Sequence, residues 1–532
     1  MAEEMQKRKL SVAMIVRDAA DILGDTLKSI EAIADEIVVL DTGSQDLTCE
    51  LAKEHGANVI EQPWDDSFSV ARNAALQQTT GDCVFWLDAG EVMSKEDAKG
   101  LRAFVDSEMD MMTAYVMLVK IPQEEKGIGS EQIGSARLFP NHPGIKFTGR
   151  VRETTSASLA ECGMALDGLP FVIRRGVCEH EPKRKMLKSI RNIKLVDMEI
   201  KESEPNARLM LSMAEAMQTM NDHANALTFY QQACQLAEHG STELLEALYG
   251  ILTTLDGHEG GLEVQIKSCI TALEIYPLDA QLLCAMGGYL QSKGQLELAQ
   301  RSFETAYQHG QVNPETWHIE DIDEIAISCY VLTSQLLGEH EKAEQTLIAA
   351  MKDHSDSIRL RRQLIDLHVK FGRREEALAE VKLLPKAYPN VESFRSAVRG
   401  AVVASQKNWI AARPYLEASY RRDCREPLCM RWYSLTLMAL GHQDQATEIL
   451  NEWKSIDPHC QEPHQLQQMM NPPESTEQAV VEAVAEDQQP MEEIPTDRTI
   501  RVDQGDSQPS KAGNRSAAAD AAKRSARGTT SL

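Results

Sequence analysis

The sequence predicts an α/β domain, then an all-α array of helix pairs, then an aperiodic tail. Three observations predict this order. Short apolar runs alternate with helix-length amphipathic stretches from Leu10 to Glu91. Two of those runs end on a carboxylate, at Asp41 and Asp88. Farther along, a turn residue followed five positions later by alanine recurs at a period near 34 residues.

The first part reads element by element. Leu10 to Val16 is an apolar run with the length of a buried strand, and a helix follows from about Asp21 to Ile33. Glu36 to Asp41 is a second strand. Thr42-Gly-Ser-Gln-Asp46 is a turn in which Ser44 and Asp46 are expected to cap the next helix, which runs to about His55. Ala57 to Glu61 is a third strand, Phe68 to Gln77 a helix, and Cys83 to Asp88 a fourth strand with Trp86 as core. A later strand is expected over Val172 to Val177. Strands alternating with helices of this length imply a parallel sheet wound by βαβ units. Ligands bind such sheets beyond the carboxyl ends of the strands. Carboxylates placed there can hold ribose hydroxyls, a base N–H or a divalent cation.

Four segments carry a resemblance: Met14-Ile-Val-Arg17, Val39-Leu-Asp-Thr-Gly-Ser44, Phe68-Ser-Val-Ala-Arg-Asn73 and Trp86-Leu-Asp-Ala-Gly-Glu91. In order and spacing they resemble the family 2 glycosyltransferases over roughly the first 200 residues. The resemblance implies a GT-A fold, with a mostly parallel, Rossmann-like sheet over residues 1–182, and transfer of a sugar from a nucleotide donor, usually UDP. It implies that Asp41 bonds the uracil, that Arg72 meets the base or diphosphate, and that Asp88 meets ribose or metal. It places His180 near the diphosphate or metal and Glu153 as general base; Arg137, in Ser135-Ala-Arg-Leu-Phe139, is separately a candidate acceptor contact. Each has a plainer reading: a turn carboxylate for Asp41, ion pairs for Arg72 and Arg137, a loop histidine for His180.

Two positions depart from the family pattern. The second aspartate of Asp-x-Asp is Gly90, which has no ligand atom. Glu91 follows as the candidate replacement ligand, since carboxylate oxygens suit Mg²⁺ and Mn²⁺; its alternative is a helix-start carboxylate. Gly90→Asp should strengthen metal binding if the loop has ordinary backbone geometry, and cost stability if φ is positive. The family's Gly-Arg-Val-His-Glu reads Gly149-Arg-Val-Arg-Glu153 here, so Arg152 replaces a histidine and adds a cation near the leaving group.

From Lys183 onward the chain is helical in pattern. Residues 183–205 read as a connecting helix, basic at its start and acidic at its end. Residues 206–470 repeat Asn221…Ala226, Gly294…Ala299, Gly338…Ala343, Gly372…Ala377, Lys407…Ala412 and Gly441…Ala446. The last four start points lie 34, 35 and 34 residues apart. That period resembles tetratricopeptide repeats, each a helix pair. The glycine ends the first helix with φ > 0, and the alanine is small because two helices cross there. Pro277, Pro389 and Pro458 fall where repeats end. Gly261…Ile266 is an imperfect copy, and an insertion of about ten residues is expected near Gln308 to Asp323. About seven units are expected from Asn206 to Asp457, folding independently of the first domain and offering a concave face to partners. Residues 471–532 read as disordered, acidic at first and locally basic at the end.

Composition sets the remaining bounds. The 532 residues hold 55 Lys plus Arg against 81 Asp plus Glu, a net charge of −26, which argues against nucleic acid as partner. Eleven scattered cysteines include no Cys-x-x-Cys pair, which suggests neither zinc nor a disulfide framework. No signal peptide and no transmembrane segment are read from the sequence, so a cytoplasmic location is expected. Two functions follow. One is an inverting glycosyltransferase using Mg²⁺ or Mn²⁺, with a protein, peptide or glycan acceptor presented by the repeats. The other is a degenerate transferase-like scaffold that binds partner proteins.

Overall fold

A computed structural model describes residues 7–121, 131–176, 182–255, 261–385, 388, 390–457, 460 and 462–470. His180, Pro389, Pro458 and the tail, on which expectations fall, lie outside the described residues. The described residues form two compact units, one up to Ala326 and one from Ile327 onward.

The first unit opens as the apolar runs dictate. Strands β1 (Leu10–Val16), β2 (Glu36–Asp41), β3 (Asn58–Glu61) and β4 (Cys83–Trp86) lie parallel in the order β3-β2-β1-β4. Helices α1 (Ala20–Ile30), α2 (Thr48–Glu54) and α3 (Phe68–Leu76) make the crossovers. β1 is buried almost throughout because both of its faces are covered. Leu10, Val12 and Met14 pack with Leu23, Leu27 and Phe85 on one side. Ala13 packs with Ala71, Ala75 and Trp86 on the other. Continuous apolar runs, rather than alternation, are what a two-sided parallel sheet requires.

Beyond β4 the sheet is no longer parallel. The chain adds β5 (Glu91–Met93), α4 (Lys95–Ser107), β6 (Thr113–Ile121), β7 (Glu131–Pro140), α5 (Ser156–Glu161) and β8 (Ala165–Arg175). The order continues β4-β7-β6-β8-β5. β7 runs antiparallel to both β4 and β6, β8 is parallel to β6, and β5 is antiparallel to β8. The expectation of a mostly parallel sheet therefore holds for the strands that bear Asp41 and Asp88 and gives way to a mixed sheet after them. The physical reason is connection length: β7 starts at Glu131, too soon after the end of β6 at Ile121 for the dozen or so residues that a parallel crossover takes.

Among the described residues, helix α6 (Pro182–Glu202) leads into seven helix pairs. In the first unit these are α7 (Ala207–Thr219) with α8 (His223–Leu236), α9 (Thr242–Thr254) with α10 (Leu262–Ile275), and α11 (Ala280–Ser292) with α12 (Leu296–His309). The division between units falls inside α13 (Ile322–Leu336). The second unit continues with α14 (His340–Asp353), α15 (Ile358–Lys370) with α16 (Arg374–Lys382), α17 (Val391–Ser405) with α18 (Trp409–Arg421), and α19 (Pro427–Ala439) with α20 (Gln443–Ile456), and it includes α21 (Glu462–Met470). The repeat signal has a concrete cause. Asn221, Gly294, Gly338, Gly372, Lys407 and Gly441 all have φ between 59° and 79°. Each starts a reversal in which the next residue's N–H reaches back five positions, as from Gln295 to Leu290 O at 2.9 Å and His442 to Leu437 O at 2.9 Å. Ala226, Ala299, Ala343, Ala377, Ala412 and Ala446 are all fully buried. Gly261 is the exception: at φ −78° it caps the start of α10 and makes no left-handed turn.

The insertion is structured. It forms β9 (His318–Ile319), which pairs antiparallel with the start of β7. β4 covers β7 only from Leu138 to Pro140, so the other end of that edge needs a partner. Gln132 and His318 side chains meet there at 2.9 Å, and the Gly134 N–H donates to Pro314 O. No helix among the described residues is long and apolar enough to cross a membrane.

Candidate active site

A cavity of about 760 Å³ opens at the carboxyl ends of β1, β2 and β4. Ile15, Val16 and Arg17 come from the end of β1, Thr42 from the turn after β2, and Asp88 to Glu91 from the turn after β4. Arg72 enters from α3, whose first turn is held by Ser67 accepting the Val70 N–H. The fourth wall is α6, through Arg184, Leu187, Lys188 and Arg191. Among the described residues, six cationic side chains and three anionic ones line the space: Arg17, Arg72, Arg175, Arg184, Lys188 and Arg191 against Asp18, Asp88 and Glu91.

Arg72 joins the candidate residues. Its Nε donates to Glu153 Oε1 at 2.6 Å and its Nη1 to Asp88 Oδ1 at 3.0 Å. The guanidinium lies over the rings of Trp86 and Phe147, 4.7 and 5.2 Å from their centroids. Asp88 also accepts the Trp86 Nε1–H at 3.0 Å, and Arg137 Nη1 lies 3.6 Å away. Burial opposes its charge, but Arg72, Arg137 and Arg175 prevail and pull its carboxyl down to about 2. The core tryptophan is therefore also a positioning group.

Other candidates serve the frame of this site. Asp41 is buried; its Oδ2 accepts the N–H groups of Gly43 and Ser44 at 3.0 and 2.9 Å, and Ser44 Oγ donates to Oδ1. It does not line the cavity, whereas Thr42 does. Ser44 accepts the Asp18 N–H at 2.8 Å, so it ties two loops and does not cap α2. Asp46 does hold the start of α2, accepting the Thr48 N–H at 3.0 Å. Arg137 is buried, with Nη2 on Glu91 Oε1 at 3.0 Å and Nε on Ser135 Oγ at 2.7 Å. Arg152 does not line the cavity. It has φ 50° and donates to Glu246 Oε2 and Glu215 Oε1, both at 2.8 Å, on α9 and α7. A loop of the sheet domain is thereby locked onto the first helix pairs.

Residues 11–165 match the family described as Glycosyl transferase family 2. That match covers less than a third of the chain. Among similar proteins, a TPR repeat-containing protein of Synechococcus elongatus is 39% identical over 152 residues, 28% of this chain and 36% of that protein. The SPbeta prophage-derived glycosyltransferase SunS of Bacillus subtilis is 27% identical over 153 residues, again 28% of this chain and 36% of the relative. The chain thus spans about a third of the length of these curated relatives. In a solved structure, the mannosyltransferase PcManGT of Pyrobaculum calidifontis in complex with GDP-Man and Mn²⁺, the likeness covers 46% of this chain and 86% of the other, at 17% identity and a TM-score of 0.29.

The family 2 domain does not offer a divalent ion a fitting set of described ligands. Gly90 stands at φ 89°, and a Cβ there would lie 3.2 Å from Ile22 Cδ1. Glu91 is 1% exposed and uses both oxygens: Oε1 takes Arg137 and Arg175, and Oε2 takes the Asp88 N–H at 2.9 Å. Asp88 is held by Arg72 and Trp86. Among the described residues no three His, Cys, Asp or Glu side chains converge as metal ligands. No motif in the sequence marks the cations of α6, although Arg184, Lys188 and Arg191 share a helical face at i, i+4 and i+7.

Proposed function

We propose that this protein transfers a sugar from a nucleotide donor, with UDP as the nucleotide, to a protein, peptide or glycan acceptor, with inversion at the anomeric carbon. The observation that carries the reading is the cationic cavity at the carboxyl ends of parallel strands, with Asp88 and Arg72 on its wall. The acceptor oxygen attacks the anomeric carbon and its proton passes to Glu153. The bond from that carbon to the diphosphate oxygen breaks, and the diphosphate leaves with the electron pair. One displacement inverts the centre. Glu153 is reached through Arg72, which pairs with it and also lines the cavity, so charge arriving at Arg72 alters the base directly. Asp41 acts by holding the turn that presents Thr42. The helix pairs present the acceptor, and the reaction runs in the cytoplasm.

A donor-hydrolysis screen of the purified chain over nucleotide sugars tests this reading. Release of free nucleotide from a UDP sugar is expected. A chain that neither hydrolyses any donor nor binds UDP would have to be read as a scaffold, the reading that the geometry of Gly90 and Glu91 favours.

A further inference from the structure

We propose that the donor's diphosphate is held by the basic side chains of α6 and β8, without a divalent cation. This rests on the reading of the ligand as a nucleoside diphosphate. The position that would carry the second metal-binding aspartate is a glycine with φ 89°, crowded by Ile22. The carboxylate beside it, Glu91, is buried against Arg137 and Arg175. Both features are built into the backbone and the packing, so small side-chain rotations do not restore a metal site. Among the described residues that line the same cavity, cations outnumber anions six to three. Arg175 enters from the end of β8, and Arg184, Lys188 and Arg191 enter from one face of α6. The wall also fixes two of these groups: Arg191 stacks over Phe68 at 4.7 Å, and Arg184 pairs with Asp21. Guanidinium groups meet phosphate oxygens through paired N–H donors, and a lysine adds a compact charge. Fixed cations at a leaving diphosphate stabilise the charge that develops there, which is the task a metal performs in other sites.

UDP and, separately, inorganic pyrophosphate are titrated calorimetrically into the full chain in EDTA and in Mn²⁺. UDP affinity in EDTA is expected within about twofold of that in Mn²⁺ and should weaken as salt rises. Lys188→Glu and Arg191→Glu, on the surface of α6, should each weaken UDP and pyrophosphate binding by about tenfold or more. Lys188→Arg should retain it, and an unchanged melting temperature shows that the variants fold. UDP binding that appears only with Mn²⁺ overturns the proposal and leaves the nucleotide reading intact. Binding in EDTA that ignores both charge reversals overturns it as well. Pyrophosphate binding in EDTA without any UDP binding retains the anion site and removes the nucleotide. Failure of both ligands in EDTA overturns it.

Discussion

Arg72 donates its Nε–H to Glu153 at 2.6 Å, across 81 residues of sequence. Candidate base and candidate phosphate-binding residue therefore form one ion-paired unit. With Asp88 on the other side of the guanidinium, one cation balances two carboxylates on the edge of a cavity.

Removing that cation should be costly. Arg72→Ala takes the shared cation from two part-buried carboxylates, of which Asp88 keeps Arg137 at 3.6 Å, and a loss of about 3 kcal/mol at neutral pH is expected. The acid limb should change too. Asp88 has its folded pKa lowered to about 2, so its contribution is present above its unfolded value of 3.8 and is lost as pH falls toward 2. The wild-type chain should lose stability across that window, and Arg72→Ala should lose less there. Thermal melts between pH 7 and pH 2 check both points; an identical acid limb in the variant would refute the pairing.

Glu153→Gln keeps size and removes the base. Turnover is expected to fall roughly 10²–10⁴-fold, with UDP binding retained or strengthened because that carboxylate no longer offsets the Arg72 charge. Steady-state kinetics beside a UDP titration separate these. A variant with full turnover would remove Glu153 from the reaction.

At Gly90 the positive φ decides the outcome of substitution. Gly90→Asp is expected to destabilise by about 1–2 kcal/mol, through a strained backbone and the contact with Ile22. It should not confer Mn²⁺ dependence. A urea titration and a UDP titration with and without Mn²⁺ test the two halves; a stable variant whose UDP binding tightens with Mn²⁺ would show that the loop does accept the aspartate.

Arg152→Ala should loosen the first helix pairs. It strips the cation from Glu246, which is 14% exposed, and from the more solvated Glu215. A loss of about 2 kcal/mol is expected, at the lower end for buried pairs because Glu215 is screened. Glu246→Gln in the same chain should recover part of it. A fragment starting at residue 206 lacks Arg152 and should melt below the full chain by circular dichroism; equal melting would mean that the repeats stand alone.

The repeat turns give a pair of opposite predictions. Lys407 has φ 62° where other repeats use glycine. Lys407→Gly should raise stability by about 0.5–1 kcal/mol, and Gly441→Ala should lower it by a similar amount. Shifts of the same sign in thermal melts would contradict the left-handed turns.

The amino-acid sequence by itself determined what depends on neighbours along the chain. The four apolar runs became parallel strands because a two-sided sheet demands continuous apolarity. The glycine-to-alanine spacing became helix pairs because a left-handed turn and a close crossing are both local requirements. The tertiary structure alone decided which partner each charged side chain takes. Arg72 finds Glu153, Arg137 finds Glu91, and Arg152 finds Glu246 across separations of 81, 46 and 94 residues. A motif gives a residue type at a strand end; it does not say whether the carboxylate meets a turn N–H, as Asp41 does, or an arginine, as Glu91 does. Likewise, the basic face of α6 was present in the sequence as a helical stripe, but only packing against the strand ends made it the wall of a cavity. Charge in a folded chain is satisfied by whatever packing brings within about 3–4 Å, and that distance is set by the fold and not by the order of residues.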